Sequence, residues 1–118
     1  MNVEELVTKV LQALASKKAQ DLIVLDLRGL TVIADYFVIA TAASSVNSRA
    51  LIDAVDEAAR DAGMKGIRPE GLGDPSWVLV DLGDIIVHVF DAEHRDFYQL
   101  ERLWADAPRL PIPEEFRA

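Results

Sequence analysis

Three features of the sequence predict an α/β (α+β) fold: a mixed β-sheet of about five strands flanked by helices. An apolar stripe at helical spacing opens the chain. Two short, nearly continuous apolar runs follow, the pattern of strands covered on both faces. Farther on, a Gly-Asp pair alone separates two more apolar runs. That marks an antiparallel hairpin and excludes a purely parallel sheet.

Residues 2–17 are read as the first helix. Val3, Leu6, Val7, Val10, Leu11 and Leu14 share one face, Asn2 suits the N-cap, and Glu4 and Glu5 sit where the helix dipole favours acids. Residues 21–27 and 35–41 are the two strands, joined through the turn Arg28-Gly29-Leu30-Thr31. Ser44 or Ser45 caps a second helix running to about Ala62, with Leu51, Ile52, Val55, Ala58, Ala59 and Ala62 inward and Gly63 closing it. A short strand is expected at Ile67–Pro69 and a loop at Glu70–Pro75, where Gly71, Gly73 and Pro75 interrupt regular structure. Trp77–Leu82 and Ile85–Phe90 form the hairpin around Gly83-Asp84. Asp91 caps a last helix from about Ala92 to Trp104, with Phe97, Leu100 and Leu103 or Trp104 expected to face the sheet. Pro108, Pro111 and Pro113 then bar a regular helix or central strand.

A chain of 118 residues fits one domain, here residues 1–107, followed by a proline-rich tail over 108–118. It has no cysteine, which excludes a disulfide scaffold, a thiol nucleophile and Cys-ligated metal sites. With 12 basic against 20 acidic residues, the formal charge of −8 argues for little or no direct nucleic-acid binding. Acidity suits a basic protein partner, and equally serves solubility alone. The N-terminus lacks a signal-peptide pattern and no apolar run is long enough to span a bilayer, so a cytoplasmic protein without membrane attachment is expected.

No catalytic or cofactor constellation emerges. Phosphate-binding glycine motifs are missing, and Gly71 and Gly73 run into Asp74-Pro75, where proline removes an amide donor. His88 and His94 do not have metal-ligand spacing. Asp26-Leu27-Arg28 lacks the second acid of a two-metal strand motif, and Asp81 and Asp84 merely flank a turn. Ser44, Ser45 and Ser48 stand outside any nucleophile elbow. No enzyme activity, cofactor or metal is therefore expected. His88 shares a strand face with Ile86 and Phe90 and is read as held at the sheet–helix boundary, with Asp81 or Glu101 as a partner.

The densest signal is Trp77-Val78-Leu79-Val80-Asp81-Leu82-Gly83-Asp84-Ile85-Ile86-Val87-His88-Val89-Phe90, followed by Arg95-Asp96-Phe97-Tyr98-Gln99-Leu100-Glu101-Arg102-Leu103-Trp104. Tyr98 and Glu101 should lie together along one helix edge. Tyr98 and Trp77 are amphipathic aromatics of the kind enriched at protein interfaces, and Asp81 and Glu101 can receive basic side chains. Either tryptophan can equally be a core residue.

This pattern resembles the ribosomal silencing factor (RsfS, or Iojap) family. Leu25–Leu30, Asp35–Thr41, Ser44-Ser45 and Glu70-Gly71 extend the likeness over about residues 3–108. Ala42 and Val46 depart from it, standing where the family shows glycine and arginine; Arg49 follows one helical turn on. The resemblance implies a nucleotidyltransferase-like outline without catalytic motifs. It implies binding to the large ribosomal subunit through ribosomal protein L-fourteen, steric block of small-subunit joining, repression of translation, and self-association as a homodimer. It carries Trp77, Asp81, Tyr98, Leu100, Glu101 and Trp104 to the contact, with His88 and Arg95 in support. The alternatives are a large-subunit assembly factor on the same surface and a nucleotidyltransferase-like nucleotide-binding protein.

Overall fold

The computed structural model describes residues 2–65, 67, 69–71, 74 and 76–117. The first helix, α1 (Val3–Ser16), starts where Asn2 Oδ1 accepts the Glu5 amide at 2.8 Å, and it buries Val7, Val10, Leu11 and Leu14. β1 (Gln20–Asp26) and β2 (Tyr36–Ala42) pair antiparallel, with a bulge between Gln20 and Ile23. The cap of α2 (Ser45–Asp61) is Ser44, whose hydroxyl accepts the Asn47 amide at 3.0 Å. Asn47 also accepts the Ala43 amide and donates to the Lys17 carbonyl, both at 2.9 Å, which ties the start of α2 to the end of α1.

β3 is Pro69–Glu70, beside the expected position; Arg68 lies outside the described residues, as does part of the 70–75 loop. β4 (Trp77–Asp81) and β5 (Ile85–Asp91) form the expected hairpin, closed by the Leu82 amide on the Ile85 carbonyl at 2.8 Å. Gly83 takes φ 87° there, a conformation that side chains disfavour. β2 and β5 are parallel neighbours at the centre of the sheet, paired from Tyr36↔Ile85 to Ala42↔Asp91.

The sheet has six strands rather than about five, in the order β3-β4-β5-β2-β1-β6. The added strand, β6 (Arg109–Leu110), comes from the proline-rich tail and pairs with Val24 and Leu25 of β1. It is short because Pro108 and Pro111 flank it and have no N–H to extend the ladder. Side chains alternate across the sheet. One face packs Val24, Val38, Val80 and Val87 against α1 and α2. The other packs Leu25, Phe37, Ile39, Ile86 and Phe90 beneath the segment after β5. No helix among the described residues is long and apolar enough to cross a membrane.

That segment departs from the expected single helix over Ala92–Trp104. It is two short helices, α3 (Ala92–Tyr98) and α4 (Leu100–Leu103), broken at Gln99 with φ 46° and ψ 55°. The cause lies in α3. Its only buried residue is Arg95, whose Nη1 donates to Thr41 Oγ1 at 2.7 Å. With arginine holding the inward position, Phe97 cannot face the sheet and is 75% exposed. The left-handed residue resets the phase, so Leu100 and Trp104 pack on the sheet while Leu103 turns outward. Gln99→Gly is expected to leave stability unchanged or raise it by up to about 1 kcal/mol, because glycine tolerates this φ. Gln99→Val should lower it by about 1–2 kcal/mol. Urea denaturation of the two variants checks the order.

Candidate functional site

β2, β4, β5 and α3 bring six rings together on the α3–α4 side of the sheet: Phe37, Trp77, His88, Phe90, Phe97 and Tyr98. Trp77 opens β4 opposite Phe90 and stacks on it, with ring centroids 4.9 Å apart. Its indole N–H donates to His88 Nδ1 at 3.1 Å. That bond assigns the imidazole proton to Nε2, which is buried without a hydrogen-bond partner among the described residues. Phe37 meets the same imidazole edge-on at 4.6 Å. Burial pushes the His88 pKa down to about 4, so the ring is neutral at neutral pH. The partner of His88 is thus Trp77, not Asp81 or Glu101.

Trp77 in turn is a shelf. Tyr98 rests on it at 4.8 Å, and Phe97 meets Tyr98 edge-on at 5.1 Å. Behind Trp77, Gly71 sits at φ 92°, and a Cβ there would fall 2.5 Å from the Trp77 carbonyl oxygen. The tryptophan is half-buried and its polar atom is already engaged, whereas Tyr98 is 46% exposed. Leu103 adds an outward apolar group from α4, and Leu30, Val32 and Ile33 are exposed on the β1–β2 loop. The ends of that loop, Leu27 and Ala34, pack in the same core cluster as Trp104.

The remaining expected contact residues fall elsewhere. Leu100 is buried, and Trp104 packs edge-on to Phe37 at 5.8 Å, so both anchor α4 on the sheet. Glu101 turns away from Tyr98 toward Arg95, with Oε1 3.6 Å from Arg95 Nε, so the break at Gln99 separates the pair expected on one helix edge. Asp81 lies four residues along β4 from Trp77, about 13 Å. Its Oδ1 accepts the Gly83 amide at 2.8 Å and pins the hairpin turn. The outward position of Phe97 escapes sequence reasoning, whereas of the alternatives Leu103 and Trp104 it is Trp104 that packs inward. Glutamine is a good helix former, and nothing local signals that it takes the left-handed conformation.

No group of three or more metal-ligating side chains occurs among the described residues. Asp26 is engaged by the Arg28 guanidinium at 3.0 and 2.8 Å, which holds its carboxyl below the usual range. Asp91 caps α3 and holds His94 Nδ1 at 2.8 Å, which raises the His94 pKa. The site therefore offers a surface of rings and aliphatic groups on a rigid sheet.

The family model described as "Ribosomal silencing factor during starvation" (RsfS) matches residues 1–118. A protein named ribosomal silencing factor RsfS from Bacillus subtilis is 38% identical over 108 residues, covering 92% of each chain. The chloroplastic protein Iojap of Zea mays is 37% identical over 105 residues, covering 86% of this chain and 44% of its own. A crystal structure of a protein from Chromobacterium violaceum superposes with a TM-score of 0.84 at 34% identity, covering 97% of this chain and 93% of that one.

His88 yields a pH signature. Folded, it stays neutral down to about pH 4; unfolded, it protonates near the ordinary value of 6.5. The unfolded state therefore binds more protons between those limits, and stability falls as pH drops through the window, by up to about 3 kcal/mol. His88→Phe should flatten this part of the pH dependence. Denaturant unfolding of both proteins between neutral pH and about pH 4.5 measures the difference.

Proposed function

The chain belongs to the ribosomal silencing factor family, and from that premise we propose that it is a cytoplasmic repressor of translation that docks on the large ribosomal subunit. Its contact is ribosomal protein L-fourteen, and the bound protein sterically blocks joining of the small subunit. The observation that carries this reading is the exposed pair Phe97 and Tyr98, held on the Trp77 shelf. Large apolar rings on a rigid support at a surface are characteristic of protein interfaces, where a few aromatic anchors supply most of the affinity. The formal charge of −8 favours encounter with a basic partner. Within this reading Tyr98 and Phe97 are contact residues, Trp77, Leu100 and Trp104 hold them in place, and Glu101 faces Arg95. His88 and Arg95 act one layer deeper, and Asp81 fixes the hairpin. Homodimerisation is part of the proposal as a competing use of the same rings.

Co-sedimentation with isolated large subunits tests it. The unaltered protein should pellet with the subunits and reduce formation of joined ribosomes when small subunits are added. Tyr98→Ala and Phe97→Ala should each weaken pelleting by roughly thirtyfold, the effect of losing an anchor worth about 2 kcal/mol. Neither change should shift the thermal unfolding midpoint as much as Trp104→Ala. A protein that never pellets with large subunits at moderate salt overturns the reading.

A further inference from the structure

We propose that the cleft between the α3–α4 break and the start of β1 is a binding site for a small zwitterion of the α-amino-acid type. This goes beyond docking to the ribosome and does not depend on it. The cleft has a volume of about 560 Å³ and lies on the α3–α4 side of the sheet. Its floor includes Thr41, near the carboxyl end of β2, and Ala92, the residue after β5. β2 and β5 are parallel neighbours, yet the chain leaves β2 for α2 on one face and β5 for α3 on the other. A crevice outside the carboxyl ends of two such diverging strands is where open α/β sheets commonly hold ligands. The volume is in the range of small-molecule sites.

The chemistry of the walls selects the ligand. Arg95 has a side chain only 10% exposed, and its bond to Thr41 engages one of the five N–H donors of a guanidinium. Its Nε faces Glu101 Oε1 at 3.6 Å, beyond hydrogen-bond distance, and that carboxylate oxygen is buried without a hydrogen-bond partner among the described residues. A largely buried cation with spare donors thus stands beside a carboxylate that is 20% exposed, one of whose oxygens has no hydrogen-bond partner among the described residues. Arg109 of β6 and Asp21 of β1 also line the cleft and add one charge of each sign. A simple anion would meet Glu101, and a simple cation would meet Arg95. A ligand with opposite charges on neighbouring carbons matches both: its carboxylate takes the guanidinium fork, and its ammonium donates to Glu101.

Calorimetric titration of the full chain with glycine, L-alanine, L-glutamate and L-lysine, each beside its N-acetylated form, tests the site. Saturable binding of at least one free amino acid, weakened roughly tenfold or more by Arg109→Ala and by Glu101→Gln, is the expected result. Arg95→Lys should abolish it; should that variant fail to fold, the other two carry the test. Backbone amide shifts at Thr41 and Arg95 on titration locate the ligand. Absence of binding by all four amino acids overturns the proposal. So does equal affinity for the N-acetylated forms, affinity unchanged in both Arg109→Ala and Glu101→Gln, or displacement by inorganic phosphate alone.

Discussion

The parallel pairing of β2 with β5 is the constraint on which the other parts of this protein rest. Every residue of β2 is buried, as is β5 from Ile85 to Phe90. A parallel pair cannot be joined by a tight turn, so α2 and the β3–β4 excursion must span the distance between them. Once the two strands are side by side, alternation sends Val38, Ala40, Val87 and Val89 to one core and Phe37, Ile39, Ile86 and Phe90 to the other. A one-residue slip would exchange the two sets, placing His88 and Thr41 against α1 and α2, where the hydrogen bonds from Trp77 and Arg95 could not form. Register, core partition and both polar contacts beneath α3–α4 are therefore one decision.

Most elements were legible because their side chains alternate or recur at the period their structure demands. The stripe of α1, the closed hairpin at Gly83 and the Asp91 cap all follow from residues close in sequence. The features that were not legible depend on residues far apart. β6 is two residues long, and its place beside Val24 and Leu25 is a long-range pairing that periodicity cannot express. The break at Gln99 arises because Arg95 reaches Thr41, fifty-four positions earlier in the chain. The same separation explains the candidate site. Trp77 and Tyr98 are singled out together because the hairpin and its following helix are contiguous, whereas the bond from Trp77 to His88 is not foreseen. Phe97 is assigned inward, with Leu103 or Trp104, because an unbroken helix would carry them there; of that last pair it is Trp104 that packs on the core.

The aromatic layer also shows how a polar atom can serve rigidity rather than recognition. An indole N–H at a surface usually recommends a tryptophan as a contact residue. Here it is spent on His88, and the neutral imidazole in turn lies between Phe37 and Phe90. The outermost rings inherit their orientation from this stack, which lowers the conformational entropy they would lose on binding.

The two ends of the sheet carry a further consequence. β3 and β6 are each two residues long, and Pro69, Pro108 and Pro111 lie in or beside them. An edge so short, with amide hydrogens missing at the prolines, is a poor template for strand addition by another molecule. A protein that exposes Phe97, Leu103 and Val32 to water would otherwise risk open-ended aggregation through its backbone. With both edges blunted, association is left to side chains, whose shape and chemistry can choose a partner and whose contacts end at one.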